Sequence, residues 1–346
     1  MVELTLAQKL FRAQMCVMGY LFPDYTAKRV VDMFGQTQKR PIPEAEKQSE
    51  ALARVKKFEL APMTEDFFTP STSYECQTWL QGYEYGPEDG GKGTAVLIHG
   101  YSGRATQFYA LIPLLAARGY RVIALDMPAC GASPGDIANP VTFSNALEAL
   151  IRANSIHPNI LIGHSMGALV SIFFASLCRR SPYLDKLERI AVVGTQDSAV
   201  DFLNLFGEMV GVSGTAAAEL LLPELQKRTA DLDVKTIVTS QHIKNINVPV
   251  LFIHDSADKE VNVSNSRNIV AVAQAIVDER QKAREGAGGA DDEFAKFEFR
   301  YVETEGLGHQ RILRDAKVIN MIVDFVEEIA GPPRDGAGAG VAAVTA

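Results

Sequence analysis

Between residues 94 and 196 the chain alternates two kinds of apolar pattern. "TAVLIHG", "RVIALDMP", "NILIGHS" and "RIAVVGTQ" are short unbroken runs. Such runs suit strands covered on both faces, as in a parallel sheet. Helical spacing fills the gaps: a helix through "FYALIPLLAARG", one from Thr142 to about Ile156, and one after Ser165. The alternation resumes with "VPVLFIHD", a helix from about Ser264 to Arg280, "KFEFRYVET" and a last helix near Ile312–Ile329. Upstream, "SYECQTWLQGYEY" (Ser73–Tyr85) reads as an antiparallel strand closed by a Pro-Glu-Asp-Gly-Gly turn. Strand and helix in repeated succession predict an α/β fold, a mostly parallel doubly wound sheet.

Two stretches depart from this rhythm. In residues 1–57, Leu4, Ala7, Phe11, Met15 and Met18 recur at helical spacing. A second helix starts near Thr26 and carries Val30, Val31 and Phe34, and a third runs to about Lys57 after the polar link "RPIPEAEKQ". This segment reads as an N-terminal helical arm packed on the main domain; a peripheral membrane contact would require its apolar faces to stay exposed. The second stretch, 197–246, holds two helices, around Phe202–Val210 and Thr215–Lys227. It reads as a helical insertion that splits the core into 58–196 and 247–330. "EGAGGADDE" reads as a surface loop, and residues 331–346 as a disordered low-complexity tail.

Composition narrows the function classes. The 346 residues carry a net charge of −8 with no basic cluster, which argues against nucleic acid as a partner. Cys16, Cys76, Cys130 and Cys178 are scattered, with no Cys-x-x-Cys pair, and read as reduced thiols of a cytoplasmic protein. "MCVMGYLF" is too short to span a bilayer, and Pro23 follows it closely, so no integral membrane segment is expected. Gly86 to Lys92 imitates the start of a phosphate-binding loop, but Gly93 stands where Ser or Thr is required and a strand follows.

The chemistry centres on Gly163-His164-Ser165-Met166-Gly167. Alone, such a pentapeptide is a weak signal. Here it joins a strand to a helix, the context of a nucleophile elbow. Serine needs a base to take its proton, a carboxylate to orient that base, and two donors for the oxyanion. At the elbow the Met166 N–H is one donor. Tyr101, after the strand ending "LIHG", supplies the second, and His99 reads as a structural residue of that loop. Asp258 in "HDSADKEV" is the expected orienter, with Asp255 as its rival nearer the strand end. His309 in "EGLGHQRIL" is the expected base. His157 and His242 read as structural, and His164 and His254 as buried neighbours of the site. No metal-ligand spacing is present, and the chemistry needs no cofactor.

With these motifs in place, the chain resembles the α/β-hydrolase superfamily over about residues 90–330, with its order Ser165, Asp258, His309. "HGYSGRATQF", "DMPACGASPG", "GHSMGA", "HDSADKEV" and "EGLGHQRIL" carry the resemblance. Within that superfamily the insertion is similar to the lid of monoacylglycerol-lipase-like and lysophospholipase-like serine esterases. One departure is Pro128-Ala129-Cys130-Gly131, where the family usually has Pro-Gly-His-Gly; Cys130 reads as a loop residue, with a place on the pocket rim as the other reading. The resemblance implies hydrolysis of a small-molecule carboxylic ester of short or medium acyl chain through an acyl-enzyme on Ser165. Tyr101, Phe108, Phe202 and Phe206 are the expected pocket residues. Two questions stay open on sequence grounds: whether the insertion is a lid or simply packs on the body, and whether the substrate is an ester or an amide. A non-catalytic ligand-binding protein on this fold is the rival class; its usual sign, a missing triad member, is absent.

Overall fold

The computed structural model describes residues 5–38, 40–62, 77–228, 232–286 and 297–328. The expected tail, most of "EGAGGADDE", Cys76 and the start of the expected strand at Ser73 lie outside them. The elements in chain order are α1 (Leu6–Leu21), α2 (Pro23–Gly35), α3 (Glu44–Ala51), β1 (Arg54–Glu59), β2 (Trp79–Tyr85), β3 (Gly93–Ile98), α4 (Ile112–Ala117), β4 (Tyr120–Leu125) and α5 (Pro140–Ala153). They continue as β5 (Ile160–His164), α6 (Met166–Leu177), β6 (Arg189–Val193), α7 (Ala199–Val210), α8 (Ala216–Gln226), α9 (Thr239–His242), β7 (Val250–Asp255) and α10 (Ser264–Gly286). β8 (Phe299–Thr304), α11 (Gly308–Arg311) and α12 (Ala316–Glu327) close the described chain, and short 3₁₀ turns link several of these elements.

The eight strands form one sheet in the order β1-β2-β4-β3-β5-β6-β7-β8. β2 pairs antiparallel with β1 and β4, and every other pairing is parallel. Every residue of β5, β6 and β7 is buried, which is why their sequences are unbroken apolar runs rather than alternating ones. One face is covered by a core with Phe143, Leu147, Ile172, Phe174 and Ile269 from α5, α6 and α10. The other carries Ile112 and Leu115 of α4 and Ile319, Ile322 and Val323 of α12. The strand order reverses at β3, flanked by β4 and β5, and ligand crevices of doubly wound sheets open at that reversal.

Several expected boundaries move. The third helix ends at Ala51 rather than near Lys57, and Arg54–Glu59 is an edge strand. Its charged sequence, RVKKFE, lacks a long apolar run because one edge faces water, and Lys and Arg there discourage pairing with another chain. The last helix begins at Ala316, capped by Asp315, after α11 and a 3₁₀ turn. α4 starts only at Ile112, with Pro113 in its first turn.

The arm and the insertion share a core. Met15, Val30, Val31 and Phe34 of α1 and α2 pack with Leu203, Val210, Leu221 and Leu225 of α7 and α8. Polar contacts tie the same pair together: Arg12 donates to Met209 O at 2.9 Å, Tyr20 Oη to Gly214 O at 2.9 Å, and Arg228 pairs with Asp32 at 2.7 Å. The two segments, nearly 200 residues apart in sequence, make one cap.

Candidate active site

Ser165 follows β5 and opens α6 at φ +55° and ψ −121°, a backbone region that side chains rarely occupy. Two glycines make the turn possible by close approach. A Cβ on Gly163 would stand 2.3 Å from Gly167 O, and one on Gly167 would stand 2.1 Å from Ile98 O. The turn is pinned by the Ser165 N–H, which donates to Val193 O at 2.9 Å. It faces the loop after β3, since a side chain on Gly100 would lie 2.8 Å from Ser165 Cβ. Among the described residues neither the Tyr101 nor the Met166 N–H has a hydrogen-bond acceptor.

The loop after β3 is held by buried groups. His99 Nε2 accepts from the Met127 N–H at 3.0 Å, so Nδ1 carries the proton and donates to Gly100 O at 2.7 Å. Burial pulls this imidazole down to about 4, which keeps it neutral. Asp126 Oδ1 accepts the Ala105 N–H at 2.7 Å and Oδ2 the Ala132 N–H at 2.8 Å, joining the loops after β3 and β4.

At the ends of β7 and β8 two carboxylates divide the work. His309 Nδ1 lies 2.6 Å from Asp258 Oδ2, and both side chains are more than 95% buried. Asp258 Oδ1 accepts the N–H groups of Glu260 and Val261 at 2.8 and 2.9 Å. Burial opposes the Asp258 charge, but the His254 ring 3.4 Å away and the hydrogen bonds from His309 and the backbone outweigh it and hold the carboxyl well below its ordinary range. A carboxylate cannot donate, so the proton sits on His309 Nδ1 and the Nε2 lone pair is left free to act as a base. Among the described residues Asp255 makes no hydrogen bond to the His309 ring. It accepts from Thr304 Oγ1 at 2.8 Å, from the Leu307 and Gly308 N–H groups at 2.9 Å each, and from the Ala257 N–H at 3.0 Å. It therefore fixes the backbone immediately before His309.

Val193 O holds Ser165, and the next residue, Gly194, runs against His309: a Cβ there would lie 3.3 Å from the ring's Nδ1 and Cε1. The three loops thus meet, although no hydrogen bond joins Ser165 to His309 among the described residues. Such bonds are often long in unliganded enzymes and tighten on binding. His164 is the partner that sequence reasoning left without a role. Its Nε2 donates to His309 O at 2.9 Å, its Nδ1 accepts from Gln107 Nε2 at 3.2 Å, and its ring centroid is 4.6 Å from that of His309. Burial, then the nearby His309, keeps it neutral. Gln107 gave no sequence signal, because its place follows from a 3₁₀ turn rather than from a motif.

The expected pocket residues divide. The Tyr101 and Phe202 rings meet edge to face at 6.1 Å, and Phe202 and Phe206 pack on Phe34 at 5.3 and 5.4 Å. Phe108 is not with them: it is 1% exposed, in the core that holds Leu111, Ile112 and Leu115. The turn after Ala105 points its aromatic ring into the body. Cys130 is buried in the core with Met166, and burial pushes its thiol up to about 12. His157 pairs with Asp185 at 2.8 Å, and His242 bonds Ser176 Oγ and Thr236 O, both structural. Cys16, Cys130 and Cys178 are free. The arm reaches the site in a way no sequence pattern announced. Tyr101 Oη donates to Gln36 O at 2.5 Å, the Gln38 N–H to Ser102 Oγ at 3.0 Å, and Thr37 Oγ1 to Ala129 O at 2.5 Å.

A family model described as the alpha/beta hydrolase fold matches residues 95–232. Methylesterase 8 of Arabidopsis thaliana is 41% identical over 78 residues, 21% of this chain and 29% of that protein. The uncharacterized hydrolase YugF of Bacillus subtilis (strain 168) is 34% identical over 85 residues, 24% of this chain and 31% of that protein. The chain thus spans about 30% of the length of the curated relatives it matches. A solved structure of a membrane phospholipase A, a bacterial virulence factor, superposes with a TM-score of 0.53 at 16% identity over 93% of this chain and 96% of that one. At that identity the likeness is one of fold.

Proposed function

We propose that this chain is a serine hydrolase of the α/β-hydrolase superfamily that cleaves carboxylic esters through an acyl-enzyme on Ser165. The observation that carries the reading is the buried His309–Asp258 pair at 2.6 Å, facing the strand end where a serine is held at positive φ. His309 Nε2 takes the Ser165 proton as Oγ attacks the ester carbonyl. Asp258 holds the ring in the required tautomer and stabilises its cationic form. The free N–H groups of Tyr101 and Met166 receive the oxyanion, each donor worth about 100- to 1000-fold in rate. His309 then protonates the leaving alcohol and activates the water that releases the acid. No cofactor takes part in these steps. Asp255, His164 and His99 are positioning residues: they hold the base and the oxyanion loop and touch no substrate.

Two findings bear on the substrate. The partial relative from Arabidopsis is named a methylesterase. The aromatic wall of Tyr101, Phe202 and Phe206 suits a short or medium acyl chain beside the elbow. The decisive experiment pairs a fluorophosphonate label with peptide mapping and with Ser165→Ala on p-nitrophenyl butyrate. Stoichiometric labelling of Ser165 and loss of at least about 10⁴-fold in kcat are expected. Labelling of another residue, or an active Ser165→Ala variant, overturns the assignment.

A further inference from the structure

Eleven large apolar side chains stand exposed among the described residues, and seven of them lie between Leu6 and Tyr25. On α1 they make a ridge. Leu6 is 73% exposed, Leu10 63%, Val17 56%, Tyr20 61% and Leu21 66%. At 100° per residue these five fall within an arc of about 100°. The opposite side of the helix, with Phe11, Met15 and Gly19, packs against the cap core and the insertion. α1 is therefore apolar on two opposite faces, and the fold uses one. A helix whose only task was to pack on the cap would carry polar side chains outside.

Charge indicates what covers the second face. The first 40 residues contain six Lys and Arg against three Asp and Glu, +3 in a chain of −8. α1 has no acidic side chain at all. Lys9, beside the ridge, and Lys28 and Arg29 of α2 are exposed, and none makes an ion pair among the described residues, whereas Asp32 is neutralised by Arg228. Tyr25 and Arg29 also line a cleft of about 100 Å³ with Gln14 and Met18 at the flank of the ridge. An apolar ridge with aromatic groups at its end and unpaired cations beside it is the make-up of a helix that lies in a membrane interface. A second copy of the chain would set these like charges against each other in a two-fold contact.

We propose that α1 docks the protein along the surface of an anionic lipid bilayer, its ridge among the acyl chains and its cations at the headgroups. Among the described residues no helix is long and apolar enough to cross a membrane, so the contact is along the surface. α2 leads from the ridge to Gln36, Thr37 and Gln38, which rest on the Tyr101 and Cys130 loops, so docking holds the mouth of the site beside the lipid.

The test is co-sedimentation of the full chain with vesicles of phosphatidylcholine containing roughly 30% phosphatidylglycerol, with pure phosphatidylcholine vesicles as comparison. It needs no catalytic turnover, so it stands or falls apart from the esterase reading. Wild type is expected to pellet with the anionic vesicles and to be released by salt. Leu10→Glu/Val17→Glu should lower the partition coefficient at least about tenfold with an unchanged thermal melt, both side chains being on the exposed ridge. Wild type that stays in the supernatant overturns the proposal, as does a variant that pellets equally. So does a dimer in light scattering that the variant splits while neither protein binds vesicles. If the double variant melts early, Lys9→Glu/Arg29→Glu repeats the measurement without touching the ridge.

Discussion

The carboxyl edge of the sheet and the cap above it are built on opposite principles. At the edge, the buried carboxylates are held by directed hydrogen bonds. Asp255 accepts four hydrogen bonds, and Asp258 is met by His309 and two backbone N–H groups. In the cap, cohesion comes from apolar packing across α1, α2, α7 and α8, and large apolar side chains remain in solvent. Directional bonds fix atoms to a fraction of an ångström, whereas apolar contacts can slide and repack. Damage at the edge should therefore appear first in the rate, and damage in the cap first in stability and substrate binding.

Asp258→Asn tests the edge most sharply after the nucleophile itself. An amide at this position favours the wrong His309 tautomer, so kcat on a soluble ester should fall by about 10⁴-fold. Stability should show the same carboxylate. The folded state holds the Asp258 pKa below its unfolded value of about 3.9. Its contribution is then fully present above about pH 4 and is lost as pH falls through the folded pKa. Denaturant unfolding should show wild type more stable than Asp258→Asn above about pH 5, with the gap closing as pH falls toward the folded Asp258 pKa. A gap that widens in acid contradicts the assigned direction.

Phe34→Ala strikes the cap instead. Phe34 is 4% exposed between Phe202 and Phe206, and removing a buried ring of this kind costs about 3–5 kcal/mol. Calorimetry should show the loss, while kcat on p-nitrophenyl butyrate stays within about threefold and KM rises. A collapse of kcat at unchanged stability would reverse the comparison between the two regions.

The edge was also the more legible region. Buried parallel strands write themselves as unbroken apolar runs, and the loops after β5, β7 and β8 carry Ser165, Asp258 and His309 at strand ends, where the fold needs them. Cap and edge strand were harder to read. RVKKFE resembles a polar helix because an edge strand meets water on one side. The joining of α1 and α2 to α7 and α8 is a contact between segments nearly 200 residues apart, and amphipathic helices reveal that they have apolar faces, not which partner takes them. Phe108 was misplaced for a related reason: a ring near the oxyanion loop can turn toward the pocket or the core, and only the 3₁₀ turn decides.

Asp255→Asn gives the smallest effect and the finest distinction, because Asp255 and Asp258 are neighbours with different tasks. Oδ2 of Asp255 receives Thr304 Oγ1 and the Leu307 N–H; Oδ1 receives the Gly308 and Ala257 N–H groups. An asparagine keeps one acceptor oxygen. Placed with its nitrogen toward Thr304, it can donate to that hydroxyl, but the Leu307 N–H loses its partner, and the loop that carries His309 loosens two residues before the base. A displacement of that kind costs at most about 100-fold in rate. The acid–base groups are untouched, so the shape of the pH–rate profile should be unchanged while kcat falls. Asp258→Asn, by contrast, should alter both. A variant with wild-type kcat would show that the Asp255 latch is dispensable. A loss equal to that of Asp258→Asn, with a changed pH profile, would show that the two carboxylates are one functional unit.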